Sequence, residues 1–298
     1  MKTAFLKYAA RSDMGRVRRN NEDNFLCAGA FLTEETRDLP FKTSGQINTP
    51  SVFAVCDGVG GLQMGEQASL IAVQTLSELV GSILDSPIPQ LDETIHDYTQ
   101  LVNQRIQQIV SELSAQMGTT IALAVVLSDE VRAYNVGDSR IYAFDKSGFR
   151  QISVDHTLAM KKMKSGIYTE EQARMSDDWS KLTACLGFLD DNGNGHKCEV
   201  LSPVKLNNNI RLLLCSDGLT DVLSDNAIEQ ILRSRRNSET AVCTLMSEAL
   251  NNGGTDNTTA VVVDIIMKKF SHTISIKKIS AMARKVFRCF GNKPHSEV

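Results

Sequence analysis

Several apolar runs in this chain end directly in an acid. Val-Phe-Ala-Val-Cys runs into Asp57-Gly58-Val59-Gly60-Gly61, Leu-Leu-Leu-Cys-Ser runs into Asp217-Gly218, and Tyr134-Asn135-Val136-Gly137 runs into Asp138. Gly253-Gly254-Thr255-Asp256-Asn257 places another acid just before the last apolar run, and Asn21-Glu22-Asp23-Asn24 places a pair before an early one. If the ends of these runs converge, the carboxylates share one pocket. Like charges within a few ångströms raise one another's pKa and cannot all stay ionised near neutral pH. Divalent cations resolve that conflict. The donors are oxygens, with no His or Cys at zinc spacing, so the set selects a hard ion, Mg²⁺ or Mn²⁺. Glycine beside the acid lets the Gly58 carbonyl approach an ion closely. Taken singly, each motif has a plainer reading. Asp-Gly is a common hairpin-turn dipeptide, Asp138 before Ser139 and Arg140 reads equally as a hairpin acid, and Glu22 and Asp23 beside Arg18 and Arg19 read as solvated surface pairs. Their joint occurrence favours the metal reading.

The elements that must bring these acids together are legible as patterns. Alternation and short β-branched runs predict strands over 3–9, 24–28, 52–56, 119–127, 131–136, 140–144, 211–215 and 258–266. Ala68, Ile71, Ala72, Leu76 and Leu79 recur at helical spacing, as do Leu91, Ile95, Tyr98, Val102, Ile106, Ile109 and Leu113. A second helical pair is expected near 225–233 and 238–250. Strands that follow one another directly favour a largely antiparallel α+β architecture with helices on the outer faces over a βαβ repeat. The stretch from Leu158 to Leu182 is polar and helix-prone without strand pattern, and reads as a surface flap over about 158–185.

Composition narrows the class. Of 298 residues, 42% are apolar and 22% charged, which excludes disorder and fibrous repeats. No window reaches the roughly 18 uninterrupted apolar residues of a membrane span, and Thr3 to Leu6, between Lys2 and Lys7, is too short for a secretory h-region. A cytoplasmic protein is expected. Seven cysteines with no C-x-x-C pair suggest neither a disulfide framework nor a zinc ribbon, but small core hydrophobes. The formal charge of −3 hides an asymmetry: residues 268–298 carry eight Lys/Arg against Glu297 alone, leaving a body of −10. An acidic body argues against nucleic-acid binding and suits a site that gathers cations. The chain divides into a body, 1–267, and a tail, 268–298. In the tail, Ile276, Ile279, Met282, Ala283, Val286, Phe287 and Phe290 follow helical spacing opposite Lys277, Lys278, Arg284, Lys285 and Arg288. Such a basic amphipathic helix over 276–290 suits an anionic membrane surface, a partner protein or the chain's own acidic body.

The ordered motifs resemble the metal-dependent protein serine/threonine phosphatases of the protein phosphatase 2C type, in their bacterial form. The series runs Asp13-Met-Gly-Arg-Val-Arg-Arg-Asn-Asn-Glu-Asp23, Asp57-Gly-Val-Gly-Gly61, Gly118-Thr119-Thr120, Asn135-Val-Gly-Asp-Ser-Arg140, Asp155-His156-Thr157, Leu182-Thr183 with Leu186-Gly187, Ser216-Asp-Gly-Leu-Thr-Asp221 and Gly254-Thr-Asp-Asn-Thr-Thr259. It covers about 3–266. The resemblance implies a four-layer α-β-β-α sandwich of two antiparallel sheets flanked by helix pairs. It also implies the roles: Asp57 bridging two Mn²⁺ or Mg²⁺ ions, the Gly58 carbonyl on one, Asp217 and Asp256 on the other, and Glu22 acting through water. Arg18 matches the phosphate-binding arginine, whose planar fork suits bidentate contact. Asp138 and Asp221 match acids that hold a third, weaker ion. The implied reaction is direct attack on phosphorus by a hydroxide bridging the metals, with phosphorylated proteins as substrates and a Ser/Thr kinase opposing it. Two positions depart from the pattern. Val59 stands where eukaryotic members often carry a His assigned as leaving-group acid, and Ala184 stands where many bacterial relatives carry Arg near the flap. His156 reads as a structural or substrate-edge residue. Two other readings share features of this chain: a non-catalytic, phosphoprotein-binding relative, which predicts missing ligands, and a two-metal nuclease, which the acidic body disfavours. A monomer is expected.

Overall fold

The computed structural model describes residues 4–60, 64–114 and 116–267. The basic tail and its 276–290 helix lie outside the described residues. In chain order come β1 (Ala4–Asp13), β2 (Asp23–Cys27), β3 (Phe41–Asn48) and β4 (Ser51–Gly60), then the long helices α1 (Gly65–Asp85) and α2 (Ile88–Leu113). Five strands follow, β5 (Met117–Thr119), β6 (Ile121–Val126), β7 (Glu130–Val136), β8 (Arg140–Asp145) and β9 (Gly148–Gln151). After the short helices α3 (Leu158–Lys164) and α4 (Glu170–Arg174) come β10 (Glu199–Val200), β11 (Val204–Lys205) and β12 (Ile210–Cys215). Then α5 (Asp217–Thr220), α6 (Asp225–Ser234), α7 (Ser238–Asn251) and β13 (Thr258–Met267) complete the body.

Two antiparallel sheets stack face to face. One runs β3-β1-β13-β12-β8-β9; the other runs β10-β7-β6-β4-β2, with β11 beside β7 and β5 beside β4. Phe25, Phe53, Val55, Ile141, Leu212, Leu214, Val261 and Val263 fill the space between them. Alternate residues of the same strands point outward and are covered as well. Val52, Ala54 and Cys56 of β4 meet Ala68, Ala72 and Leu76 of α1 and Tyr98 and Val102 of α2. Leu213 and Val262 on the other sheet meet Ile228, Leu232, Val242 and Leu245 of α6 and α7. Burial on both faces is why these strands read as unbroken apolar runs. Side-chain caps start the outer helices, with Ser224 and Asn237 accepting from the Ala227 and Thr240 backbone N–H groups. Among the described residues α1 is the one helix long and apolar enough to cross a membrane, and it packs on the sheet instead.

This is the expected four-layer α-β-β-α sandwich, with three local differences. The strand predicted over 119–127 is two, β5 and β6, which break at Thr120 because that residue's hydroxyl accepts a hydrogen bond from the Asp57 backbone. Strands β3, β9, β10 and β11 were not predicted; they lie at sheet edges and are largely solvated, so no apolar alternation marks them. The 158–182 excursion folds as α3 and α4, which pack on each other. Cys27, Cys56, Cys185 and Cys215 are buried and unpaired, and burial pushes their thiols up, which keeps them protonated and inert.

Candidate metal centre

Asp57 lies where β4 leaves the sandwich core, directly across from Asp23 on β2. Beyond it, β4 pairs with β5, Gly58 opposite Thr119. The Asp57 N–H donates to Thr120 Oγ1 at 2.9 Å, and its carbonyl accepts from the Thr120 N–H at 2.8 Å and Thr119 Oγ1 at 2.9 Å. Thr120 Oγ1 lies 2.6 Å from Ser139 Oγ, tying this strand end to the turn that carries Asp138. That turn needs glycine: Gly137 has φ +95°, and a Cβ there would lie 2.7 Å from the Thr120 Cβ.

Asp217 opens α5 at the end of β12, and the preceding Ser216 donates to Asp23 Oδ2 at 2.6 Å. Asp256 sits just before β13 and accepts from Arg18 Nη2 at 2.6 Å. Asn257 binds the loop that holds Arg18 and Glu22. Its Oδ1 accepts from the Glu22 N–H at 2.8 Å, and its Nδ2 donates to the Met14 and Asn20 carbonyls at 3.0 and 2.9 Å. Asn20 in turn bridges Glu22 Oε1 at 3.2 Å and Glu66 Oε2 at 3.3 Å. The backbone of Gly58 is pressed against this loop and the start of α1. A Cβ on Gly58 would lie 2.7 Å from the Glu22 carbonyl and would overlap the Gly65 carbonyl. Gly58→Ala is therefore expected to cost about 3 kcal/mol of stability, as severe overpacking does, read as a lower urea midpoint with unchanged slope.

The electrostatics match a crowded acid set. Burial, then the nearby charges of Asp217, Asp23 and Asp138, hold the Asp57 carboxyl well above the usual range. Burial and the charges of Asp221 and Asp256 push Asp217 up to about 7. Burial pushes Asp23 up to about 8, against the lowering effect of its Ser216 hydrogen bond. Asp138, Asp221 and Glu22 are also raised, each first by burial. Arg140 grips Asp155 in a buried fork with bonds of 2.6 to 3.0 Å. Asp138, Asp217 and Asp221 line a small, partly open cavity of about 10 Å³ with Trp179 and the Arg140–Asp155 pair, room for one water-sized occupant.

The expected site residues thus meet at one end of the sandwich: Glu22, Asp57, Gly58, Asp217 and Asp256 around the β4–β12–β13 ends, Arg18 at the rim, and Asp138 and Asp221 at the adjoining cavity. Sequence reasoning assigned no separate role to Asp23, Asn257, Asn20 or Glu66. Asp23 was visible beside Glu22, but Asn257 acts through backbone contacts and Asn20 through carboxylates distant in sequence, neither of which leaves a periodic signal. His156 is held by two contacts, its Nδ1 accepting from the Gly137 N–H at 3.2 Å and its Nε2 lying 2.9 Å from Glu199.

The donors fit hard divalent cations. All are oxygens, Asp57 and Asp138 have no ion pair among the described residues, and Asp23 Oδ1 is buried without a hydrogen-bond partner. Among the described residues, however, no three His, Cys, Asp or Glu side chains are placed to hold one metal ion together, so the carboxylates must reorient to take one. Asp57 and Asp217 hydrogen-bond each other, and Asp256 takes Arg18.

A family model for protein phosphatase 2C matches residues 41–257. The chain is 32% identical over 259 residues to the serine/threonine phosphatase Stp of Listeria welshimeri, covering 85% of this chain and 94% of that one. It superposes on the Mycobacterium tuberculosis serine/threonine phosphatase PstP/Ppp with TM-score 0.73 and 29% identity, covering 88% of this chain and 99% of that one. A structure of the PstP catalytic domain in complex with two manganese ions aligns over the same shares, at TM-score 0.72 and 29% identity. With the motifs in order, the acids gathered at one sandwich end and these likenesses spanning the body, the chain belongs to the protein phosphatase 2C family.

Proposed function

We propose that this centre hydrolyses phosphoserine and phosphothreonine in proteins with two divalent cations, Mn²⁺ or Mg²⁺, held by Glu22, Asp57, the Gly58 carbonyl, Asp217 and Asp256. The observation that carries this is a set of crowded carboxyls at one sandwich end, Asp57 and Asp217 foremost, each raised by desolvation and by neighbouring acids and neither in an ion pair among the described residues. When bound, the ions supply an acidified water as nucleophile and neutralise phosphoryl charge. The chain's own residues supply the rest. Asp57, opposite Asp23 at the end of β4, would be one of the carboxylates that hold the ions. Its position is fixed by Thr119 and Thr120 rather than by its neighbours' charges. Arg18 is half-exposed at the rim, with Nη2 bonded to Asp256, and its remaining N–H donors serve the phosphoryl oxygens. Val59 has no titratable proton, so a bound water or another donor must protonate the leaving alkoxide. The products are the free side-chain alcohol and phosphate.

Asp138 and Asp221 would hold a third ion in the adjoining cavity. The excursion over 158–182 is a flap beside the centre, and the body acts as a monomer in the cytoplasm against a Ser/Thr kinase, with the basic tail as a docking segment. Arg18→Ala tests the central reading. It is expected to lower kcat/KM on a phosphothreonine peptide by about 100-fold, or ~2.7 kcal/mol, with Mn²⁺ affinity retained; unchanged kcat/KM would contradict the role.

A further inference from the structure

Trp179 is the chain's single tryptophan, and it joins the flap to the cavity between Asp138 and Asp221. Its indole Nε1 donates to Asp221 Oδ1 at 3.1 Å. Two guanidiniums lie near the ring, the carbon of Arg140 from the body 5.8 Å from its centroid and that of Arg174 from the flap 4.9 Å away. The flap itself is internally braced. Asp178 accepts from Lys162, from Tyr168 at 3.1 Å and from Lys181 at 3.0 Å, and the Leu158 N–H donates to the Lys181 carbonyl at 2.8 Å across the flap's neck. A body braced this way moves as a unit when its anchor is released.

We propose that Trp179 is a positioning residue that latches the flap to Asp221, so that flap docking and cation binding at the Asp138–Asp221 cavity compete. This rests on the reading of those two acids as holders of a third ion. The indole N–H occupies one carboxylate oxygen of Asp221 and presents its positive end to the cavity, whose volume admits one small occupant. An ion drawn by Asp138, Asp217 and Asp221 displaces that N–H. Loss of the bond leaves the ring facing Arg140, whose charge is already spent on Asp155. By linkage, whatever loosens the flap strengthens the cavity's hold on the ion to the same degree.

The test titrates Mg²⁺ into chelator-treated full chain while tryptophan emission and acrylamide quenching are followed, with phosphate release measured in parallel. Beyond the Mg²⁺ that restores phosphate release, emission shifts to the red and quenching rises about twofold as the ring enters water; Asp138→Asn loses this late change. Trp179→Phe keeps a ring over both guanidiniums and removes the N–H. Trypsin then cuts at Lys161, Lys164 and Arg174 about fivefold faster than in the parent without Mg²⁺, and Mg²⁺ no longer alters the rate. Emission that stays flat in enzyme releasing phosphate, or flap cleavage in Trp179→Phe equal to the parent's, overturns the latch. A Mg²⁺-dependent emission change that Asp138→Asn abolishes, in protein that releases no phosphate, sustains the latch and counts against the phosphatase reading instead.

Discussion

Asp217→Asn is expected to lower kcat/KM on a phosphothreonine peptide by about 10³-fold, ~4 kcal/mol of transition-state stabilisation, while raising the melting temperature of the cation-free protein. The two effects have one origin. Asp217 is half-buried beside Asp57, Asp221 and Asp256, and its carboxyl is pushed up to about 7 by desolvation and by the charges of Asp221 and Asp256. The amide keeps an acceptor for the Asp57 hydrogen bond and removes the charge the neighbours repel. Relief of about 1 kcal/mol in a domain of this size raises the melting temperature by about 2–4 °C. The same change deletes an anionic oxygen ligand, and with it the reason to bind a divalent ion. Sites that must be unstable alone in order to work are where stability and activity trade against each other. Calorimetric melting in chelator, set beside steady-state kinetics in Mn²⁺, checks both halves. A variant that is both fully active and less stable would contradict the account.

In chelator, stability is expected to fall as pH rises from about 4 to about 8, and divalent cation is expected to reverse that slope. Asp217 and Asp23 are held up to about 7 and about 8 in the folded protein, whereas an unfolded aspartate titrates at about 3.9. Between those values the native state binds more protons than the unfolded one, so unfolding free energy decreases with pH. The contribution of the protonated forms is complete below about pH 4 and is lost as pH passes through the folded values. For Asp217 alone the ceiling is ~4 kcal/mol, because each tenfold gain in proton affinity on folding is worth about 1.36 kcal/mol. Mg²⁺ or Mn²⁺ binds the deprotonated acids, so excess ion restores stability most at high pH. Urea midpoints measured at pH 5 and pH 8, with and without Mn²⁺, read the effect directly. A midpoint higher at pH 8 than at pH 5 in chelator would show that the acids are not crowded as described.

How much of this was legible beforehand depended on what kind of signal each residue leaves. Strands β4, β12 and β13 are covered on both faces, so their apolar runs are unbroken and the acids at their ends stand out. That made Asp57, Asp217 and Asp256 readable in a linear chain. Strand β3 faces solvent along most of its length, and β10 and β11 are two residues each, too short to carry a pattern. The break between β5 and β6 was invisible because Thr120 is as strand-compatible as its neighbours. Only the Asp57 backbone opposite explains why it turns. Asn257 illustrates the same limit at the site. Its three hydrogen bonds to the Met14–Glu22 loop place Glu22 and Arg18, yet in sequence it is one more polar residue after an acid. Trp179 carried no role in the linear reading because its partners, Asp221 and Arg140, are about 40 positions away on other elements.

The most direct test of the centre is phosphate release from a phosphothreonine peptide by chelator-stripped protein as Mn²⁺ is added back, with Asp57→Asn alongside. Release should be absent in chelator, rise with Mn²⁺ as two ions bind per chain, and stay near background in Asp57→Asn at every Mn²⁺ concentration. Release that persists at full rate in chelator, or an Asp57→Asn protein that regains it with Mn²⁺, would show that the gathered acids are not a metal centre for phosphoester hydrolysis.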